Sequence, residues 1–367
     1  MSNIVEIHLL QNFAPSNLNR DDTGAPKDAV FGGVRRSRIS SQCMKRASRL
    51  HFSRARLLDE SEVATRTRNV AGRISAWLAD RGRTDCDKAI ETAFAEVSLK
   101  LKKRKQDGQL QSEYLLFLGN REITALAAAI DQHFDAFSKG KPGKEAKAAL
   151  EACIGSPSID VALFGRMLAD RKDFNIDAAA QVAHAISTHR VDRDFDFFTA
   201  VDDFVQADEA VSGMLGTVEF NSSCYYRYAV VNLDLLARNL GGDHELAAKG
   251  VRAFTQAMIE AVPTGKQNTF AAHNPPAFVA VTVRAGMPMN LANAFEKPVH
   301  PGEHEAGITA ASVCRLEQTL SRYANAYGVS TRMSALDLTD AWQGERKASM
   351  AELLDGLSAQ VQSAYAT

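Results

Sequence analysis

Eight basic residues and no acidic ones fall between positions 29 and 58 of this 367-residue chain. They are Arg35, Arg36, Arg38, Lys45, Arg46, Arg49, Arg54 and Arg56. The excess is local, because the whole chain has a net charge of -1 at pH 7. Clustered lysines and arginines bind phosphates by releasing the counterions of a nucleic acid. The segment therefore predicts a confined phosphate-binding surface on an otherwise neutral protein.

An amphipathic helix starting at Ser41 is predicted to carry this charge. At about 100° per residue, one face holds Lys45, Arg49, Phe52 and Arg56, and the opposite face holds Cys43, Ala47, Leu50, Leu57 and Leu58. Ser40 and Ser41 are suited to cap the N-terminus, where free N–H groups and the helix dipole favour a phosphate. Such contacts hold the backbone of a nucleic acid without reading its sequence. Solvated surface charge is the alternative, and the absence of acidic residues favours binding.

Two other basic segments give weaker signals. The run Lys100-Leu101-Lys102-Lys103-Arg104-Lys105 is predicted to lie at a helix end, where cations are favoured without any ligand. Pro263-Thr264-Gly265-Lys266-Gln267 resembles a phosphate loop, but Glu260 replaces the first glycine of the Walker sequence and Gln267 replaces its Ser or Thr. Neither segment predicts a nucleotide-binding site by itself.

Catalytic patterns leave one alternative open. His300-Pro301-Gly302-Glu303-His304 matches HxxEH, but Pro-Gly disfavours the helix that such zinc ligands require, so a solvated loop is predicted and a peptidase is the weakest hypothesis. His184 and His189 are five residues apart, which suits no helical ligand pair. Asp21, Asp22 and Asp28 could hold a divalent ion that cuts RNA, although turn formation or salt bridges would also explain them.

The composition is that of an ordinary globular protein. Apolar residues make up 45% and charged residues 24% of the chain, whose length suits one large domain or two coupled ones. No apolar run reaches the roughly 20 residues of a membrane span, and the N-terminus lacks a signal-peptide pattern, so we expect a cytoplasmic protein. The five scattered cysteines form no CxxC pair, so neither a disulfide framework, a zinc site nor another cofactor is expected.

Periodicity predicts an α+β fold with two excursions. Strands are predicted where Val5, Ile7 and Leu9 alternate with polar residues, and over residues 225–233 and 277–284. Helical periodicity extends from Ser41 to about residue 154, with a break at Lys141-Pro142-Gly143 and an end at Gly155-Ser156-Pro157. Further helices are predicted over residues 177–187 and 245–262. Residues 190–221 fit neither pattern and are interpreted as an insertion, in which Phe195, Phe197 and Phe198 by themselves suggest a small core.

Segments throughout the chain strongly resemble the CasC family, the backbone subunits of the type I-E CRISPR Cascade complex. The clearest are NRDD at 19–22, KDAVFGG at 27–33 and RISSQCMKRA at 38–47. Others are DVALFGRM at 160–167, AHAISTH at 183–189, DFFTAVDD at 196–203, GTVEF at 216–220, YRY at 226–228, GKQ at 265–267 and NAFEK at 293–297. Residues 60–150 and those beyond 300 match weakly, and family members can carry Trp where this chain has Phe197.

The resemblance implies a hand-like architecture. It consists of an RRM-like (ferredoxin-like) antiparallel-sheet palm, a helical fingers insertion and a protruding hairpin thumb. On this chain the palm would comprise residues 1–60, with the basic helix, together with 156–189 and 223–367. The fingers would comprise residues 61–155 and the thumb residues 190–222. These boundaries agree with the two excursions predicted from periodicity.

The resemblance also implies a non-catalytic role on CRISPR RNA. Several copies would oligomerise along the guide spacer, kink it at regular intervals and present it for pairing with target DNA in antiviral defence. The implied partners are CRISPR RNA, target DNA, other copies of the chain and the subunits CasA, CasB, CasD and CasE, with no membrane. Base pairing would supply specificity while the protein reads only backbone and shape. A metal-dependent ribonuclease using the loop aspartates stays the alternative.

Thirteen residues are assigned to RNA binding by the resemblance. The wedge or stacking residues at the kink would be Met167, Phe197 and Phe198, where stacking contributes roughly 1 to 3 kcal/mol per base. The polar contacts would come from Arg20, Lys27, Ser40, Gln42, Lys45, Arg46, Arg49, Arg166, Lys266 and Gln267.

Overall fold

A computed structural model describes residues 2–155, 157–168, 171–200, 214–330 and 332–366. The chain divides into two compact units. The first unit contains Met1–His51, Val182–Val230 and Phe254–Thr367, and the second contains Phe52–Gln181 and Val231–Ala253. Among the described residues, no helix is both long and apolar enough to cross a membrane.

Strands dominate the first unit, whereas helices dominate the second. The strands are β1 (Asn3–Ser16), β2 (Asp28–Phe31), β3 (Val34–Ile39), β4 (Ala64–Thr67), β5 (Leu101–Lys103), β6 (Leu110–Ser112), β7 (Leu116–Gly119), β8 (Ala180–Val182), β9 (Ala185–Ser187), β10 (Asp194–Ala200), β11 (Met214–Asn232), β12 (Phe278–Ala285), β13 (Ser334–Asp337) and β14 (Glu345–Arg346). The helices are α1 (Ser41–Arg54), α2 (Val70–Ala79), α3 (Asp87–Glu96), α4 (Asn120–Gln132), α5 (Phe134–Ser138), α6 (Lys144–Cys153), α7 (Ile159–Phe164), α8 (Leu233–Asn239), α9 (His244–Glu260), α10 (Gln267–Phe270), α11 (Gly307–Tyr327) and α12 (Met350–Ala366). Short 3-10 helices occupy Glu60–Glu62, Lys172–Phe174 and Leu291–Phe295.

A ten-stranded mixed sheet contains the strands of the first unit. Its order is β14-β13-β12-β1-β11-β9-β3-β2, and β8 and β10 also pair with β11. The β13–β14 pairing is parallel, whereas β1 runs antiparallel to β12 from Asn3 opposite Ala285 to Leu10 opposite Phe278. The sheet and its covering helices confirm the predicted α+β class. The strands predicted over 225–233 and 277–284 correspond to β11 and β12, and the helix predicted over 245–262 corresponds to α9.

Strand β1 is buried on both faces, although its alternating pattern predicted one buried face. Val5, Ile7 and Leu9 are buried as predicted, but the intervening Glu6 and His8 are buried too. Buried polar groups require hydrogen-bond partners, and the neighbouring strands supply them. Tyr228 donates to Glu6 Oε1 at 2.7 Å, Arg284 Nε donates to Glu6 Oε2 at 2.8 Å, and His8 Nδ1 lies 2.9 Å from the hydroxyl of Tyr226. Burial, assisted by the Arg284 charge, lowers the pKa of His8 to about 3, so the ring is neutral at physiological pH.

The helix predicted over residues 177–187 is wrong. This segment forms β8 and β9 instead. Strand β9 lies between two neighbours, with Ile186 opposite Arg38 of β3 and Tyr226 of β11. Ladder hydrogen bonds on both sides outweigh a helix propensity that amounts to only tenths of a kcal/mol per residue.

The second unit contains strands that helical periodicity did not predict. Helices α2 to α6 surround an apolar core that includes Ile74, Phe94 and Ile130, but β4 pairs with β7 and β5 pairs with β6 in two small sheets. The basic run at 100–105 therefore lies in the β5–β6 hairpin, and its predicted position at a helix end is wrong. Helix α6 ends at Cys153, near the predicted stop at 155–157, of which Ser156 lies outside the described residues.

Candidate nucleic-acid interface

The N-terminus of α1 is capped and tied to the loop that precedes β2. Ser40 Oγ accepts a hydrogen bond from Cys43 N at 3.3 Å, which confirms the predicted cap at Ser40. The backbone N–H of Ser40 donates to Asn19 Oδ1 at 2.8 Å, and Lys27 N donates to the Asn19 carbonyl at 2.8 Å. Asn19 thus joins the helix start to the loop that carries Arg20 and Lys27. Sequence reasoning missed this role, for which the only available signal was the NRDD segment.

The exposed face of α1 differs from the predicted one. Met44, Ser48 and Phe52, each four residues apart, are the buried stripe. Phe52 was predicted on the cationic face but is fully buried, and its ring stacks on Phe164 with centroids 6.2 Å apart. Arg56 follows the helix end at Arg54, so it does not share that face. The helical pattern placed Phe52 within the cationic face, but burial of its ring against Phe164 outweighs that pattern.

Four predicted contacts lie along α1 with different exposure. Gln42 and Arg46 are exposed, whereas Lys45 and Arg49 are partly buried. Burial lowers the pKa of Lys45. Arg46 and Lys27 both lie near the Cys43 thiol, where their positive charges oppose the rise in pKa that burial causes. The start of α1 therefore presents Gln42 and Arg46 to solvent beside Lys27.

A second loop, residues 263–272, packs against the loop that follows β1. A Cβ on Gly265 would lie 2.3 Å from the carbonyl oxygen of Leu18, so only glycine permits this approach. The neighbouring Lys266 is partly exposed and adopts a left-handed conformation with φ of 50°. Gln267 Nε2 donates to the carbonyl of Pro263 at 3.0 Å, so its amide group holds the loop in shape. The structure therefore brings Lys266 to the same region as Arg20, while the amide nitrogen of Gln267 has a structural contact.

Two of the three loop aspartates, Asp21 and Asp28, already have protein partners. Asp21 Oδ1 accepts hydrogen bonds from the backbone N–H groups of Thr23 and Ala25 at 2.9 and 3.0 Å, as a turn-forming residue does. Asp28 forms salt bridges with Arg35 and, at 2.8 Å, with Arg193. Burial acts to raise the pKa of Asp28, but the hydrogen bonds from both arginines outweigh it and the pKa is lowered. Within the described part of the chain, no cluster of three or more metal-ligating side chains occurs.

The HxxEH segment forms a loop, as predicted. Glu303 Oε1 accepts from the backbone N–H of His300 at 2.8 Å, and the Glu303 carboxylate pairs with Arg315 at 2.7 Å. Residues 300–304 have no helical turn, so the two histidines do not share a helical face. His184, considered above as a ligand, instead accepts at Nδ1 from Arg38 Nη1 at 2.9 Å. Burial, followed by the charges of Arg38 and Lys27, lowers the pKa of His184.

An aromatic hairpin extends the sheet of the first unit. Strand β10 pairs with β11 from Asp194 opposite Phe220 to Ala200 opposite Met214. Phe195 and Phe197 lie on one face of β10 and are 66% and 65% exposed, whereas Phe198 lies on the other face against Gly216. These rings are therefore not the small core that their clustering suggested. Residues 201–213, which belong to the predicted thumb and include the end of the DFFTAVDD segment, lie outside the described residues.

The last two residues predicted to bind RNA, Arg166 and Met167, are adjacent in the second unit, and one is buried whereas the other is exposed. Met167 is 85% exposed. Arg166 is buried, with Nη1 at 2.8 and 3.0 Å from the two carboxylate oxygens of Glu122. Its Nε also donates to the carbonyl of Phe174 at 3.0 Å. Arg166 is therefore unavailable to a phosphate, and its assignment as an RNA contact is not supported by this arrangement.

The chain is similar over most of its length to a known protein family and to two chains of solved structures. The profile of a family described as CT1975-like protein matches residues 5–361. A chain from a structure titled "CRISPR RNA-guided surveillance complex, pre-nicking" is 35% identical, with a TM-score of 0.86, and the match covers 98% of this chain and 100% of that one. A chain from a second structure, titled "CRISPR RNA-guided surveillance complex", is 30% identical with a TM-score of 0.73, covering 97% and 99%. No curated protein sequence matches the chain.

Proposed function

This chain belongs to the CT1975-like protein family, and from that premise we propose that it is the CRISPR RNA-binding backbone subunit of a type I-E Cascade. In this role its RRM-like palm holds the guide RNA backbone, and successive copies polymerise along the spacer. The assembled guide then pairs with target DNA, in company with CasA, CasB, CasD and CasE, for antiviral defence. The likeness to two surveillance-complex chains over nearly their full length supports a component of this kind.

One observation carries the proposal: three separate segments converge on the N-terminus of α1. The first contains Arg20 and Lys27, the second contains Gln42 and Arg46, and the third contains Lys266. Asn19 and Gly265 provide the close backbone contacts that join these segments. Helix α1 begins at this point, and the first N–H groups of a helix, which have no partner within it, favour an anion. A surface of this type binds the sugar-phosphate backbone of any guide sequence, as the proposed role requires.

The aromatic hairpin supports the proposed kinking of the guide. Phe195 and Phe197 expose large apolar rings on one face of β10. Exposed aromatic side chains stack on unpaired bases without regard to sequence. In the proposed filament, this face of the hairpin interrupts base stacking at each copy, and the backbone surface around α1 holds the intervening nucleotides.

The proposal takes the subunit to be non-catalytic, with the ribonuclease as its rival. In this structure two of the three aspartates of the rival are engaged, since Asp28 pairs with Arg35 and Arg193 and Asp21 holds a turn. A carboxylate paired with two arginines has lost much of the negative charge that attracts a divalent cation. Asp28 is thus interpreted as a structural residue that holds Arg193, the residue just before β10, in place. Arg193 also pairs with Glu219 of β11 at 2.9 Å.

The Asp28→Asn variant separates these two functions. We expect guide RNA of unchanged length after incubation with either wild-type or Asp28→Asn protein, in Mg²⁺ as in EDTA, because no bond is cleaved. Denaturing electrophoresis of end-labelled RNA measures this, with Asp80→Asn as a control that changes an exposed carboxylate outside this loop. Mg²⁺-dependent shortening by the wild type and the Asp80→Asn control, but not by Asp28→Asn, would replace the proposal by the ribonuclease.

A further inference from the structure

The aromatic hairpin is joined to the loop that carries Arg20 by a single buried side chain. Asn17, which directly follows β1, is fully buried, and its Nδ2 donates to the carbonyl of Gly24 at 3.0 Å and to the carbonyl of Glu219 at 2.9 Å. Gly24 belongs to the Arg20 loop, whereas Glu219 lies on β11. One amide group therefore bridges a segment of the proposed RNA-backbone surface and a strand of the hairpin.

A second bridge reaches the same residue of β11. Arg193 directly precedes β10, and its Nη1 donates to the Glu219 carboxylate at 2.9 Å while its Nη2 donates to Asp28 Oδ2 at 2.8 Å. Hydrogen bonds between charged groups are shorter and stronger than those between neutral groups. Asp28 follows Lys27, one of the predicted phosphate contacts. The carbonyl and the carboxylate of Glu219 are thus tied to two segments that carry predicted RNA contacts.

The position of Glu219 determines where the exposed rings of the hairpin lie. In the β10–β11 ladder Glu219 is directly opposite Phe195, and the other exposed phenylalanine lies two positions further along the same face of β10. The next residue of β11, Phe220, contacts Phe270 of the loop 263–272, with ring centroids 5.5 Å apart. All three segments of the proposed RNA-backbone surface are therefore close to the two adjacent residues of β11 that set the place of the hairpin.

The stability of the fold does not by itself explain a polar side chain at position 17. Within the described part of the chain, Asn17 Oδ1 is buried and has no hydrogen-bond partner. An unsatisfied buried polar atom destabilises a folded protein and is rare. Departures of this kind are expected where function constrains the choice of residue. The amide nitrogen of Asn17, which holds two segments together, is the group that such a constraint would retain.

We propose that Asn17 and Arg193 are positioning residues that couple the RNA-backbone surface around α1 to the aromatic hairpin. Guide RNA held at the start of α1 fixes the Arg20 loop, and the two bridges then fix the hairpin where its rings meet the same guide. The two sets of RNA contacts therefore strengthen each other, and the coupling is reciprocal because linkage between binding contacts acts equally in both directions. This inference rests on the proposed function, since it needs a bound guide RNA, and it adds two residues that act through others.

Double-mutant cycles on guide RNA affinity measure this coupling. The Kd is determined for Arg46→Ala, Phe197→Ala and the variant with both changes, first in the wild-type background and then with Asn17→Ala/Arg193→Gln added. In the wild-type background, the double variant should be weakened about fivefold or more less than the product of the two single effects. With both bridges removed, the two effects should simply multiply. Arg193→Gln alone changes a partly exposed side chain and should at least halve the departure, so it serves as the test if a variant of the buried Asn17 does not fold.

The control for these cycles removes a similar bridge elsewhere in the chain. Asn239 Nδ2 also donates to two carbonyl oxygens, those of Ala162 at 3.0 Å and Asp177 at 2.9 Å, but it lies in the second unit. The departure should persist in an Asn239→Ala background. If guide RNA binds but the departure is absent from the wild-type background, or survives removal of both bridges, the coupling inference is wrong and the backbone-subunit proposal stands. If wild-type protein binds no guide RNA, the proposed function and this inference both fail.

Discussion

Reversing the charges of Arg20 and Arg46 together is expected to weaken guide RNA binding about 100-fold or more at roughly 0.1 M salt. Both side chains are exposed on segments that Asn19 joins, so a phosphate backbone passing the start of α1 meets both. The double variant Arg20→Glu/Arg46→Glu replaces two attractions by two repulsions at each copy. Because neither side chain contributes to the core, we expect the fold to be unaffected.

Fluorescence anisotropy with a labelled guide RNA, repeated at several salt concentrations, measures this change. The double variant should also show a shallower dependence of binding on salt, by about one unit of logarithmic slope for each lost phosphate contact. Lys88→Glu/Arg322→Glu is a matched control, since it reverses two exposed charges outside the proposed surface. Equal weakening by both variants would mean that RNA affinity depends on overall charge and that the surface around α1 is not a specific RNA-binding site.

Replacing Glu122 by glutamine is expected to destabilise the second unit by about 3 to 5 kcal/mol. The substitution conserves size and shape, but it leaves the buried guanidinium of Arg166 without a compensating charge. Burial raises the pKa of Glu122, whereas the positive charge of Arg166 acts to lower it. The positive charge of Arg166 thus favours the ionised form of Glu122, which burial disfavours. The expected loss of stability is large because no water solvates the unpaired guanidinium of Arg166 in the interior.

Urea unfolding of the whole chain measures this loss through tryptophan fluorescence. The chain contains two tryptophans, of which Trp77 lies in the second unit and Trp342 in the first. In a Trp342→Phe background the tryptophan fluorescence therefore reports unfolding of the second unit. Asp107→Asn is the matched control, because it breaks an exposed pair with Arg104 and should cost well under about 1 kcal/mol. Similar costs for both substitutions would show that the buried guanidinium of Arg166 does not depend on the charge of Glu122.

The start of α1 could be predicted from sequence because its determinants are local. The run of basic residues, the serine cap and the helical spacing all lie within about 20 positions, and the structure confirms the helix and the cap at Ser40. The face of Phe52 could not be predicted, because its burial depends on Phe164, more than 100 residues away. Long-range packing overrides a local pattern when it buries a large apolar group.

Arg166 shows why charge alone does not identify a nucleic-acid contact. In sequence it resembles any other arginine, and its partner Glu122 lies 44 positions earlier in the chain. The same limitation applies to Asp28, whose second partner Arg193 is 165 positions away. Strands β8 and β9 were mistaken for a helix for a related reason, since their ladder partners belong to β3 and β11. Local charge and helix capping could therefore be predicted from the sequence, whereas pairing between distant segments could not.

The number of protein copies bound per guide RNA, measured against spacer length, tests the central claim most directly. Native mass spectrometry of the chain assembled on a series of guides gives this number, because each copy adds 39.9 kDa. If the chain polymerises along the guide, one copy is added for each fixed increment of spacer length, with the RNA intact throughout. A single copy on every guide regardless of its length, or no stable complex, would contradict the proposal that this chain polymerises along a guide RNA.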